Sequence, residues 1–398
     1  MILQTVKEVQ LQGKTVLLRV DFNVPMNKDG SIIDDSKMRA ALPTIEYILS
    51  QGAKLIAMSH LGRPKGQPDP KYSLKPVASH LQSLVNTKVI MAEDSVGPQV
   101  QEAVNQLQPG EILLLENLRF HAEEEKNDAG YARQLADLAD VYVNDAFGTA
   151  HRAHASTAGV ADYLPAYAGF LMEQEVKMLR QVLDHPEPPR MAILGGAKVA
   201  DKLALIGNLI NKMDILLIGG GMANTFLKAQ GYEIGKSICE DELLEQAKQL
   251  LQTAQERRVS ILLPVDVVVT DTISAEGVAE TYPVDRVPAD KMIVDIGPQT
   301  IARFAEAIEK ARTIVWNGPL GVYEYEQFAN GTQEIARAIA RSQAVSVIGG
   351  GDSAAAVQNL GLEKDITHIS TGGGATLEFL EGRTLPGVAV VEGAKVLN

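Results

Sequence analysis

DILLIGGG, Asp214 to Gly221, is an apolar run of strand length closed by three glycines, and the same unit recurs on either side of it. MAILGG begins at Met191, TIVWNGP at Thr313 and VSVIGGG at Val345, with a further apolar run, SILLPVDVVV, from Ser260. Toward the N-terminus the runs are TVLLRV (Thr15 to Val20), KLIAMS (Lys54 to Ser59), EILLLE (Glu111 to Glu116) and VYVNDA (Val141 to Ala146), each followed by polar residues. Between the runs lie stretches of helical period: Met38 to Leu49, Leu74 to Leu84, Tyr131 to Ala139, Leu243 to Glu256, Gln299 to Lys310 and Gly331 to Arg341. Short apolar runs alternating with amphipathic helices are the pattern of βα units and a mostly parallel sheet.

Both halves of the chain show it, which predicts an α/β protein of two doubly wound parallel-sheet (Rossmann-like) domains. A length of 398 residues with 45% apolar content suits two domains. From Gly169 to His185 the residues Met172, Val176, Leu179 and Leu183 recur at helical spacing, and Pro186, Pro188 and Pro189 then stop the helix. This reads as a long hinge helix over 169–186, joining a domain of residues 1–168 to one of 187–384. A surface helix of the first domain is the other reading.

No apolar run approaches the roughly 20 residues of a membrane span, and Met1 to Gln12 does not build a signal peptide, so a cytoplasmic protein is expected. The single cysteine, Cys239, excludes an intrachain disulfide and a cysteine-based metal cluster. A net charge of −13 with 5% aromatic residues argues against nucleic acid as a partner. Any anionic ligand must therefore be held by local cations.

Ligands of open parallel sheets bind beyond the C-terminal strand ends. In the first half those ends carry Arg19, Asp21 and Asn23, then His60 and Arg63, then Arg119, then Asn144, Asp145, His151, Arg152 and His154. Repeated cations on one rim predict a small anionic ligand, since the planar fork of arginine suits carboxylate and phosphate. Any one of them alone is more often a solvated surface arginine or a structural ion pair, and it is the repetition at successive strand ends that favours a ligand.

The second half ends its strands in glycine: Gly195-Gly196, Gly219 to Gly221, Gly318 with Gly321, Gly349 to Gly351, and Gly372 to Gly374. Glycine between strand and helix lets backbone N–H groups approach an anion, so repeated glycine turns predict a phosphate cradle; tight βα turns are the plainer reading. No G-x-x-x-x-G-K-[ST], no G-x-G-x-x-G after a strand, no H-E-x-x-H and no G-x-S-x-G occurs, which excludes the Walker loop and weakens dehydrogenase and hydrolase readings. Lys198 and Lys202, four apart, can neutralise phosphate oxygens, and Asp352 after three glycines can hold Mg²⁺, or serve only as a helix N-cap. One domain that binds a small anion and one that binds a nucleotide imply phosphoryl transfer.

LLRVDFNVP, SHLGRPKG, LLENLRF, VNDAFGTAHRAHAS, LGGAKVADK, IGGGMANTFL, VWNGPLGVYE, IGGGDSAAA and HISTGGGATLEFLEG, in this order, resemble the phosphoglycerate kinase family. The resemblance implies reversible phosphoryl transfer between ATP and the carboxylate of 3-phosphoglycerate, giving ADP and 1,3-bisphosphoglycerate, with Mg²⁺ accompanying ATP/ADP and closure of the two domains. It implies a 3-phosphoglycerate site of Asp21, Asn23, Lys37, His60, Arg63, Arg119 and Arg152, the last three gripping the phosphate. Lys198 would follow the transferring group and Lys202 the nucleotide phosphates. Gly196, Gly220, Gly297, Asn317, Pro319, Val322 and Glu324 match the nucleotide pocket, Glu324 meeting the ribose. Gly350, Gly351, Asp352 and Ser353 match the loop around metal and phosphates, with Asp352 the metal residue, and Gly372 and Gly373 offer N–H groups to the transferring phosphoryl. Residues 385–398 would return to the first domain.

One position departs from the family. Aligned through AALPTI (Ala40 to Ile45), the usual catalytic arginine falls on Lys37, with Arg39 two residues on. A helix turns about 200° over two residues, so Arg39 cannot simply replace it. Lys37 acting in its place is the expectation; a register shift that recruits Arg39, or a catalytically weakened member that only binds its ligands, are the alternatives, and another acyl-phosphate or sugar-phosphate kinase on the same frame is a further one. The nucleophile is a carboxylate, so no general base is expected among His60, His151 and His154. Nothing in the chain demands an oligomer, and a monomer is expected.

Overall fold

The computed structural model describes residues 2–393. The chain divides into two compact units, one made of the residues up to Lys177 together with those from Thr384 onward, the other of Met178–Arg383.

In the first unit β1 (Thr15–Arg19), β2 (Lys54–Met58), β3 (Val89–Met91), β4 (Ile112–Leu114), β5 (Val141–Asn144) and β6 (Ala166–Ala168) form a parallel sheet in the order β3-β4-β2-β1-β5-β6. Strands covered on both faces must be apolar throughout, which is why β1, β2 and β4 read as unbroken runs; Val16, Leu17, Leu18, Leu55, Ile56 and Leu113 are all buried. The chain winds from β1 out to β3 and then resumes on the other side with β5 and β6. The reversal places a crevice beyond the C-terminal ends of β1 and β5.

The second unit repeats the plan with an addition. β7 (Arg190–Leu194), β8 (Ile215–Ile218) and β9 (Ser260–Leu262) lead to β10 (Asp266–Thr270), β11 (Glu280–Pro283) and β12 (Met292–Ile296), then to β13 (Thr313–Asn317), β14 (Val345–Gly349) and β15 (His368–Ile369). The parallel sheet runs β15-β14-β13-β7-β8-β9, so its reversal lies between β7 and β13, while β11-β10-β12 is a separate antiparallel sheet. SILLPVDVVV, expected as one strand, is therefore two strands in two sheets. Pro264, which has no N–H to give a ladder, stands between them.

The six helical stretches form, as Ser36–Ser50, Lys75–Leu84, Ala129–Ala136, Leu244–Glu256, Pro298–Lys310 and Asn330–Arg341. The helix Phe170–Asp184 carries the chain from one unit into the other, with Met172, Val176, Leu179 and Leu183 buried. Beyond the second unit the chain rejoins the first: Gly387 N–H donates to Ala150 O at 2.8 Å and Gln4 N–H to Val391 O at 2.8 Å. Of the expected returning segment, residues 394–398 lie outside the described residues.

The start of the helix Phe170–Asp184 is held by a buried carboxylate. Asp145 Oδ1 accepts from Leu171 N–H (2.9 Å) and Met172 N–H (3.2 Å), and Thr44 Oγ1 accepts from Phe170 N–H at 2.9 Å. Asp145 Oδ2 is buried without a hydrogen-bond partner. Burial pushes the carboxyl up to about 6, against the lowering by the bonds from Thr44, Met172 and Leu171. The native state thus holds a proton that the unfolded chain has released between about pH 4 and pH 6, so rising pH through that window destabilises the fold. Asp145→Asn removes this cost: relative to the natural protein it should gain on the order of 2 kcal/mol between pH 4 and pH 7.5. Urea unfolding of both proteins at the two pH values checks it, and a constant difference contradicts it.

Candidate active site

In the first unit the crevice beyond β1 and β5 is lined by cations held on internal hydrogen bonds. Arg19 does not face the rim as the sequence implied. It is 1% exposed, donating from Nε to Ser156 Oγ at 2.8 Å, to the Val20 carbonyl, and from Nη2 to His60 Nδ1 at 3.2 Å. Ser156 in turn binds the fully buried Glu124, its N–H donating to Oε2 at 3.0 Å, so Arg19 and Glu124 share one buried hydroxyl. Asn144 and Asp145 are likewise buried and structural: Asn144 Oδ1 accepts from Ala146 N–H at 3.0 Å.

A guanidinium is only a donor, so His60 Nδ1 accepts and its proton sits on Nε2. Burial first, then the charges of Arg19, Arg119, Lys37 and Arg152, hold the imidazolium form of His60 well below its ordinary range. His154 is pushed down to about 4 by burial and then by Arg119, Arg19, Arg152 and His151. Both rings are neutral at pH 7 and lie in a positive field, the reverse of the chain's overall charge.

Lys37 Nζ donates to Asp21 Oδ2 at 2.9 Å. Asn23 Oδ1 accepts from Gly62 N–H at 2.9 Å, and Arg119 Nη1 donates to Gly62 O at 2.9 Å, so one residue of the loop after β2 is gripped from both sides. A Cβ on Gly62 would overlap the Tyr72 ring. Arg119 is buried, its Nε without a hydrogen-bond partner and 3.6 Å from Glu125 Oε1. The guanidinium groups of Arg63 and Arg152 make no ion pair with a described residue, and Arg63 is exposed. These residues assemble donors without matching acceptors, which suits a ligand rich in anionic oxygens.

The second unit brings three loops into backbone contact at its reversal point. Gly195 N–H donates to Asn317 O (3.0 Å), Gly196 N–H to Pro319 O (2.9 Å) and Gly220 N–H to Leu320 O (2.9 Å). These N–H groups are spent within the protein; a Cβ on Gly195 or Gly220 would overlap facing backbone, while Gly196 has open space around it and a positive φ. By contrast, the N–H groups of Gly350, Gly351 and Gly373 have no acceptor among the described residues, and Gly372 N–H donates to Ser370 Oγ at 3.2 Å. Ser353 Oγ accepts from Gly318 N–H at 2.7 Å and so fixes the loop rather than facing a ligand.

Beneath these loops is a cavity of about 240 Å³. Gly196, Gly220, Pro319, Val322, Glu324 and Asp352 of the expected nucleotide set line it. Gly297, Asn317, Lys198, Lys202, Gly350, Gly351 and Ser353 do not, and a Cβ on Gly297 would overlap the Asp266 carboxylate. Much of the wall was missed by sequence reasoning: Ile238, Val267, Ile273, Met292 and Val294 come largely from the antiparallel sheet and its flanks. Ile238 and Ile273 are exposed by 55% and 41%, an apolar mouth that a flat ring system would cover.

Lys202 Nζ donates to Asn317 Oδ1, and burial pushes its ammonium down to about 8, so it remains mostly charged at pH 7. No carboxylate of a described residue lies within ion-pair distance of it. Lys198 is exposed in the turn after β7, where Val199 and Ala200 N–H groups both donate to Glu240 Oε2, at 2.5 and 3.1 Å. Asp352 is not the N-cap of the helix Gly351–Asn359, which is Gly350; it sits in the first turn, exposed, accepting from Tyr323 OH at 3.2 Å. Among the described residues no three His, Cys, Asp or Glu side chains gather to hold a metal by themselves. A lone carboxylate beside open N–H groups fits an ion that arrives on phosphate oxygens, as Mg²⁺ does.

A model of phosphoglycerate kinases matches residues 6–383. The chain belongs to the phosphoglycerate kinase family. The phosphoglycerate kinase of Moorella thermoacetica is 56% identical over 387 residues, 97% of this chain and 98% of that one, and that of Pseudothermotoga lettingae is 53% identical over 392 residues, 98% and 99%. Among solved structures, phosphoglycerate kinase from Coxiella burnetii superposes with a TM-score of 0.91 at 44% identity, covering 98% of this chain and 99% of that one. Against the family's usual arginine, the structure places Lys37 on Asp21, whereas Arg39 is 61% exposed and pairs with Asp35 at 2.9 Å. Helix phase alone separates the two, so the register shift that would recruit Arg39 is not what the chain adopts.

The loop contact depends on Gly195, where a Cβ would overlap the Pro319 carbonyl oxygen, a backbone atom with little room to yield. Gly195→Ala should cost about 2 kcal/mol or more and weaken ADP binding. Gly207→Ala, within the helix Leu203–Ile210 and with open space around it, should be neutral or stabilising. Thermal unfolding of the two variants separates the cases, and equal shifts would show that the close approach is not required.

Proposed function

We propose that this chain transfers a phosphoryl group reversibly between ATP and the carboxylate of 3-phosphoglycerate, giving ADP and 1,3-bisphosphoglycerate. The observation that carries the residue assignment is that Arg119 Nε has no hydrogen-bond partner and Arg63 and Arg152 make no ion pair with a described residue, in a protein of net charge −13. A small ligand bearing both phosphate and carboxylate supplies the acceptors that these donors lack.

In this reading Arg63, Arg119 and Arg152 hold the phosphate of 3-phosphoglycerate, while Asp21, Asn23 and the Nε2 proton of His60 orient its hydroxyl and carboxylate. The nucleotide's base lies in the apolar cavity of the second unit, with Glu324 at the ribose and Lys202 at the phosphates. Mg²⁺, held by Asp352 and the phosphates, supplies charge neutralisation when bound. A carboxylate oxygen of 3-phosphoglycerate forms the new bond to the γ-phosphorus as the bond to the β,γ-bridging oxygen breaks. That carboxylate is ionised at neutral pH, so no proton must be removed. Lys198, Lys37 and the N–H of Gly373 are assigned to the charge on the equatorial oxygens. No feature of the site favours the alternative of a weakened member: Lys37 keeps the positive charge next to Asp21.

We place the enzyme in the cytoplasm as a monomer. One free cysteine and the lack, among described residues, of a helix long and apolar enough to cross a membrane support the first. A sedimentation mass near 42.8 kDa tests the second.

Steady-state rates with MgATP and 3-phosphoglycerate test the assignment. Lys37→Ala should lower kcat about 100-fold and Arg39→Ala less than about threefold, and the reverse ranking contradicts it. Lys198→Ala should lower kcat by about 100-fold while the KM for ATP changes little; an equal loss confined to KM would make Lys198 a binding residue only.

A further inference from the structure

β10 ends at Thr270 and β11 begins at Glu280, and the loop between them carries Ile273, an apolar side chain at the mouth of the cavity. An irregular loop that turns apolar side chains toward solvent moves freely unless groups outside it hold it. Its own bonds are short-range: Gly277 N–H donates to Ser274 O at 3.1 Å and Thr270 Oγ1 to Thr272 O at 3.1 Å. From outside, Lys291 Nζ reaches Asp271 at 3.0 Å, and the side chain of Gln327 gathers three carbonyls. Gln327 Nε2 donates to Ser274 O at 2.8 Å, Ala275 O at 3.1 Å and Gly277 O at 3.3 Å. Carbonyls only accept, so the amide is set with Nε2 toward the loop. Beside these bonds Gly277 lies on Phe328, where a Cβ would come within 2.9 Å of the ring. Gln327 belongs to the short helix Glu326–Phe328, which follows Val322 and Glu324 of the cavity wall, and Val322 N–H donates to Val294 O of β12 at 2.7 Å. Gln327 therefore ties the loop bearing Ile273 to the wall bearing Val322 and Glu324.

Resting on the nucleotide assignment above, we infer that Gln327 is a positioning residue for nucleotide binding, which clasps residues 274–277 and keeps Ile273 at the cavity mouth before the nucleotide arrives. Ile273 adds to affinity in full only if it already stands where the ring will lie. A loose loop would lose backbone and side-chain freedom on closing over the nucleotide, and binding would be weaker by that cost.

Calorimetric titration of ADP into the natural protein, Gln327→Leu, Ile273→Ala and the double variant tests this. Gln327→Leu keeps an apolar bulk without the donors and should weaken ADP binding about fivefold. Hydrogen exchange in the free protein should quicken at residues 271–279 and not in β7 or β13, which a general loss of structure would not reproduce. In the Ile273→Ala background the same substitution should cost less than about twofold, since the group that Gln327 positions is gone. Gln327→Glu, similar in shape but acceptor-only at pH 7.5, should weaken ADP at least as much as Gln327→Leu. Unchanged ADP affinity in Gln327→Leu overturns the inference and leaves the nucleotide site standing, and so does an equal loss with and without Ile273. A natural protein that binds no ADP overturns the nucleotide reading itself.

Discussion

Three main-chain carbonyls, those of Asn317, Pro319 and Leu320, receive the N–H groups of Gly195, Gly196 and Gly220, and the second unit is arranged around that contact. At Gly195 and Gly220 the facing backbone leaves no room for a Cβ. The contact fixes the ends of β7, β8 and β13 relative to one another, so the cavity below has a set shape. Ser353 holding Gly318 and Thr332 Oγ1 accepting from Leu320 N–H at 3.0 Å secure the same loop from other sides. Glycine acts there as a packing device, and the N–H groups without an acceptor among the described residues lie elsewhere, at Gly350, Gly351 and Gly373.

The first unit solves a different problem, that of keeping cations close together without a ligand. Mutual repulsion is offset by the buried Glu124 through Ser156, by carbonyls of Val20 and Gly62, and by histidines kept neutral. Arg19 belongs to this frame rather than to the ligand surface. Its charge still reaches His60 and adds to the burial that keeps that ring neutral.

The strands buried on both faces were legible because such a strand must be a continuous apolar run. β3 and β6 escaped as short strands at the two edges of their sheet, β11, β12 and β15 fell outside the runs read as strands, and β9 and β10 were merged because a run of apolar residues does not reveal which sheet each part joins. That merger also hid the cavity walls at Val267 and Met292. For the candidate site, residue types at the strand ends were legible from the sequence, and helix phase distinguished Lys37 from Arg39. The spending of the Gly195, Gly196 and Gly220 donors was not legible, since their acceptors are about a hundred or more residues away in sequence.

Because Gly387 binds Ala150 and Val391 binds Gln4, the first unit is made of two stretches of chain separated by the whole of Met178–Arg383. The order of completion is therefore inverted relative to the order of synthesis. The second unit, contiguous in sequence, has all its residues before the first unit has its last, and the earliest residues made wait longest for their partners. A long closing loop adds little entropic cost, which grows only with the logarithm of its length, so the delay is one of time rather than of stability. A chain released before residue 384 would carry a finished second unit beside an unfinished first.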